Sequence, residues 1–147
     1  MPPQEWRSPN VPVVQIATPY SFIADEECWL TQLPPVAGTA QHLPGSLVCG
    51  RFPTNIWPRN LSWALEWEKP GEDLVLRRGD PWFSVLFETT RPSERIDLVR
   101  ARLTPELAAY QRQIRNVVGY VSGTFGLFDE AVARRPARLL VEEEVQG

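Results

Sequence analysis

A chain of 147 residues with a hydrophobic fraction of 43% has the size of one domain and enough apolar material for a sizeable core, so disorder is excluded as the default. A net charge of −3 and a pI near 5.2 give the chain as a whole no electrostatic footprint for nucleic acid. The longest apolar run is too short to cross a bilayer and the N-terminus lacks the apolar core of a signal peptide.

A cytoplasmic setting is therefore expected, with Cys28 and Cys49 reduced; two cysteines make no disulfide framework, although a bond between them stays open. Lys69 is the only lysine against 14 arginines. A GC-rich genome gives that bias, and so does an assembly surface, because arginine pairs bidentately and suits interfaces. The 15 prolines are about twice the average usage and mark extended or turn segments, mostly within residues 1–19 and at Pro34, Pro35 and Pro44.

In chain order, residues 1–10 read as a loose proline-rich arm. Residues 11–17 are a short strand, placed at an edge or a strand start by Pro12. Two apolar pieces, Phe22-Ile23 and Cys28-Trp29-Leu30, flank the acidic run Asp25-Glu26-Glu27. Residues 32–44 are rich in turn formers, 46–49 form a strand, and 52–60 form an irregular crossover in which Pro53 and Pro58 cannot donate to a ladder. The clearest signal follows: Leu61, Trp63, Leu65 and Trp67 alternate with Ser62, Ala64, Glu66 and Glu68, which puts four large apolar side chains on one face of a strand. Lys69-Pro70-Gly71-Glu72 is a type II turn signal, and strands are expected at Leu74-Val75-Leu76 and at residues 82–87, separated by the turn Gly79-Asp80-Pro81. Trp63, Leu65, Trp67, Val85 and Phe87 should be buried.

Residues 95–103 alternate weakly and read as a last strand. Thr104-Pro105-Glu106 then gives an N-cap, a proline at the first helical position and an acid in the first turn. A helix over 104–121 carries the stripe Leu107, Ile114, Val118 and Val121, with Tyr110 and Val117 at its border, and Gly123 ends it. Residues 129–135 suit a second short helix stopped by Pro136. The expected fold is mainly β, an antiparallel jelly roll or β-sandwich: an arm at 1–10, a β-rich domain at 11–103, and a helical segment at 104–147 packed on that domain or on a partner. A docked neighbouring subunit is slightly favoured for the helix, because Arg112 and Arg115 border its stripe.

No set of residues reads as catalytic. His42 is the only histidine, so a single chain cannot build a two-histidine metal site, and neither metal nor cofactor is expected. Cys49 reads as a buried structural thiol rather than as half of a pair with His42. Adjacent carboxylates diverge, so Asp25, Glu26 and Glu27 read as a solvated loop. Asp80 is expected to bond its own turn. Among six tryptophans, Trp63 and Trp67 fit a core, while Trp57 is the better surface or ligand contact.

Residues 76–87, from Leu76-Arg77-Arg78-Gly79-Asp80-Pro81-Trp82 through Phe87, resemble the late strand-turn-strand motif of the dUTPase family, a jelly-roll nucleotide hydrolase. Ser84 stands where that family has glutamine, and its aspartate-bearing glycine motif, its phosphate-binding serine motif and its glycine-rich C-terminal arm are not found; the resemblance implies fold rather than activity. The wider pattern of Arg59-Asn60-Leu61-Ser62-Trp63, the Pro70-Gly71 turn and Arg78-Gly79-Asp80-Pro81-Trp82 is similar to short β-rich proteins of unknown function from phage and bacterial genomes. Two functions follow as expectations. One is a non-catalytic β-domain acting by self-association or through a protein partner, as in a larger assembly such as a virion formed in the cytoplasm. The other is a small jelly-roll enzyme or ligand-binding domain using Trp57, Arg59, Arg77, Arg78 and Trp82. Net charge disfavours nucleic acid as a partner, and no membrane association is expected.

Overall fold

In a computed structural model, which describes residues 8–36, 43–117 and 124–143, the chain is mainly β, with two antiparallel three-stranded sheets and two helices. The strands are β1 (Val13–Ser21), β2 (Cys28–Leu33), β3 (Gly45–Leu47), β4 (Gly50–Pro53), β5 (Asn60–Trp67) and β6 (Ser84–Thr89); the helices are α1 (Pro105–Val117) and α2 (Thr124–Arg134). Strand order is β1-β5-β3 in one sheet and β4-β2-β6 in the other. Two compact units form, each from separated stretches: one from residues 1–19, 31–51 and 61–86, the other from 20–30, 52–60 and 87–147.

The first unit is built on the alternation in β5. Leu61, Trp63 and Leu65 are buried, Trp63 and Leu65 completely, and the Trp63 ring stacks on Trp82 at 5.9 Å between centroids. Thr18, buried on β1, donates its hydroxyl to the Leu61 carbonyl at 2.7 Å. On the other side β3 pairs antiparallel with β5, Gly45 opposite Trp67 and Leu47 opposite Leu65. A Cβ on Gly45 would run into the Glu66 carbonyl, so this close approach requires glycine. The turn after β5 forms as expected: Gly71 has φ of 89° and Glu72 N donates to Lys69 O at 3.2 Å. A second turn places Gly79 at φ of 94°, and Asp80 does bond its own turn, accepting from Arg77 N at 3.3 Å.

Several expectations are corrected. Trp67 is half-buried, because its indole N–H reaches out to the Lys69 carbonyl at 3.1 Å. Among the described residues Leu74-Val75-Leu76 pairs with no strand, and Val75 is exposed; without a ladder partner, β-prone residues make no strand. The last strand begins at Ser84, and Val85 and Phe87 are half-buried. The first strand starts at Val13 and runs to Ser21, and β4 takes up Phe52 and Pro53 of the supposed crossover. Among the described residues, 95–103 make one isolated bridge, Ala101 to Glu142, rather than a strand.

The second unit centres on the helices. Thr104 caps α1 as its sequence predicts, its hydroxyl accepting from Leu107 N at 3.1 Å. Leu107, Tyr110 and Ile114 are buried with Ala131 and Leu139, and Ile23, Ile56 and Trp57 pack against them. The described part of the stripe is thus covered by the chain itself rather than by a neighbouring subunit; Val118, Val121 and Gly123 lie outside the described residues. Tyr110 sits at the centre of this face, since its hydroxyl finds two carbonyls, Ile56 O at 2.9 Å and Ala131 O at 2.6 Å. Burial pushes its phenol up to about 12, with the positive charge of Arg135 acting the other way. The second helix starts at Thr124, earlier than expected, and ends at Arg134.

The acidic run is no simple solvated loop. Asp25 Oδ1 accepts from the backbone N–H groups of Leu139 at 2.6 Å and Leu140 at 3.1 Å. Arg135 donates to Asn55 O at 2.6 Å, Asp25 O at 2.7 Å and Pro136 O at 3.0 Å. One carboxylate and one guanidinium thereby fasten residues 25 and 55 to the chain after α2. Glu26 pairs with Arg91 at 3.2 Å, and Glu27 accepts from the Trp29 indole at 3.0 Å. Cys28 is buried and Cys49 is exposed, both as free thiols; the exposure of Cys49 overturns its reading as a buried thiol, and His42 lies outside the described residues.

Candidate functional site

The five residues singled out for ligand contact divide between the units. In the first, Arg77 and Arg78 are exposed on the Gly79 turn, and Trp82 is spent on its stack with Trp63.

In the second unit Trp57 and Arg59 come together. The chain after β4 folds back, with Ile56 N and Trp57 N both donating to Pro53 O, at 3.3 and 2.9 Å, and Arg59 N donating to Trp57 O at 2.8 Å. This turn fixes the Trp57 ring edge-on to Phe128, at 5.4 Å and 78°. Trp57 is therefore half core residue, with Arg59 Cζ over its ring at 5.6 Å from the centroid. Burial of Arg59, and then the like charge of Arg115, lower the guanidinium from its ordinary value. Arg91, Arg134, Arg135 and Arg138 of the same unit each have a carboxylate within salt-bridge distance. For Arg59 the described partner is the indole. The arrangement suits an anion that would complete the charge balance.

A third surface was not singled out by sequence. From residue 94 to residue 104 the chain runs without turn or bend, and every residue from 95 to 103 is exposed. Ile96, Leu98, Val99 and Leu103 show 41%, 74%, 42% and 64% of their surface to solvent. The segment is tied down near its end, where Arg102 N donates to Val141 O at 2.8 Å and Glu143 N donates to Arg100 O at 2.9 Å. The sequence does carry a signal, a weak alternation of charge and apolar bulk over residues 95–103 without a turn former, which reads as a last strand.

No protein-family model, curated protein or solved structure matches the chain. Among the described residues no three His, Cys, Asp or Glu side chains gather as metal ligands would, and no helix is long and apolar enough to cross a membrane.

Proposed function

We propose that this chain is a non-catalytic β-rich module that works through protein–protein contact, as a subunit of a larger assembly such as a virion. A jelly-roll or β-sandwich packing of its sheets belongs to the same proposal. One observation carries it: four large apolar side chains stand exposed within nine residues of an unbent segment. Single exposed apolar residues are ordinary, whereas several crowded into one short segment are what an interface looks like before its partner arrives. Sedimentation velocity tests the reading. Leu98→Ser combined with Leu103→Ser should leave thermal stability unchanged while abolishing self-association or binding to the natural partner. Equal sedimentation and equal partner binding of the two proteins would remove the proposal.

A second reading, a ligand-binding domain of jelly-roll type, draws support from the half-buried Arg59 beside Trp57 and Arg115. It expects inorganic phosphate to shift the Arg59 guanidinium resonances saturably at constant ionic strength, and Arg59→Gln to abolish saturation. A linear response that reports ionic strength alone removes it.

A further inference from the structure

The exposed strip has an edge as well as a face. Around the bridge between Ala101 and Glu142, Arg102 N and Arg100 O turn toward residues 141–143. Successive residues of an extended chain direct their N–H and C=O groups to opposite sides. Val99 and Ala101 therefore present theirs on the side away from that segment, and both residues are exposed. Among the described residues nothing pairs with this edge, and an unpaired edge beside exposed apolar side chains is a template for an added strand.

Charge selects the strand. Residues 95–103 hold three arginines against one aspartate, in a chain whose net charge is −3. Asp97 is engaged by Arg95 at 2.8 Å, which leaves Arg100 and Arg102 to set the sign of the strip. A second copy of the same strip would bring positive charge against positive charge. The chain's own solution beside Arg100 and Arg102 is the segment Leu140-Val141-Glu142-Glu143, apolar and then acidic.

We propose that residues 95–103 receive an extended segment of a partner protein, apolar against Leu98 and Val99 and acidic against Arg100 and Arg102, hydrogen-bonded along the free edge at Val99 and Ala101. This inference rests on the contact reading and names the partner's chemistry. The probe is a labelled peptide Leu-Leu-Val-Glu-Glu-Glu, the sequence of residues 139–144, titrated into the full chain beside the control Leu-Leu-Val-Lys-Lys-Lys. The acidic peptide should bind saturably and about tenfold or more tighter than the basic one. Amide exchange should slow at Val99 and Ala101. Arg100→Glu with Arg102→Glu should invert the order of the two peptides. Equal binding of both peptides, or no binding, overturns the inference. So does exchange that quickens at Arg102 with nothing gained at Val99 or Ala101, because the probe would then have displaced the native segment. If the Leu98→Ser, Leu103→Ser protein keeps all association, the contact reading itself has failed; if it loses association while the acidic peptide is ignored, only the partner's chemistry has.

Discussion

The two units reach a buried core by opposite routes. The first relies on a strand whose own alternation presents Leu61, Trp63 and Leu65, and in it Trp63 Nε1 and Gln32 Nε2 are buried donors without a protein partner among the described residues. The second gathers its core from short pieces far apart in sequence and fastens them with polar staples: Tyr110 on two carbonyls, Arg135 on the carbonyls of Asn55 and Asp25, Asp25 on two amides. Bulk holds one, and directional bonds complete the other. The same composition supports both because tryptophan and arginine are each abundant.

The largest expected effect tests the bulk-held unit. Trp63→Ala should cost about 3–5 kcal/mol in urea unfolding, the range for emptying a fully packed aromatic site. Trp63→Phe should cost clearly less, since it also removes a buried donor that has no protein partner. Equal costs for the two would mean that the indole N–H matters more than the volume, and the contrast between the units would break.

Next comes the stapled unit. Asp25→Ala leaves two amides without their acceptor and should cost about 2 kcal/mol, whereas Asp25→Asn keeps an acceptor oxygen and should recover about half of that. Full recovery by Asn would show that the ion pairs with Arg135 and Arg138, both 3.8 Å long, contribute nothing. Tyr110→Phe should cost about 1–1.5 kcal/mol by freeing the carbonyls of Ile56 and Ala131. Tyr110 also gives a pH signature. Its folded pKa of about 12 lies above the unfolded value near 10, so the folded chain holds the proton more tightly and stability falls as pH rises through that window. The decline should vanish in Tyr110→Phe, as alkaline melts of both proteins would show.

The smallest effect is local. Gly71→Ala meets no neighbour, so it should cost only about 1 kcal/mol, from the positive φ. A larger loss would mean that the turn carries structure beyond itself.

What the sequence made legible follows the same divide. The β5 face, the Pro70-Gly71 turn, the Asp80 contact and the Thr104 cap are short-range consequences of residue type and spacing, and all four form. The Asp25 and Arg135 staples are not, because nothing local says that a carboxylate in an acidic run will meet amides 114 and 115 positions away. The strip at residues 95–103 is legible as a weak alternation that reads as a last strand, where the described chain makes one isolated bridge. Alternation says that a segment is extended, and it does not say whether the chain supplies the neighbour. Of the five residues picked for a ligand, Trp57 and Arg59 meet each other, while Trp82 is absorbed into a core stack that its sequence position could not reveal.

The 114 residues between Asp25 and the Leu139 amide also set a clock. On a ribosome adding about 5–20 residues per second, Asp25 emerges roughly 6–23 s before the partner it is shaped for. During that interval Ile23 lacks the helical core it packs against in the folded chain, and the apolar piece Cys28-Trp29-Leu30 follows close behind it. The three adjacent carboxylates between them keep a nascent hydrophobic stretch hydrated and repel its copies on neighbouring ribosomes. The run that supplies a staple in the folded chain thus has the composition of a gatekeeper against aggregation before it.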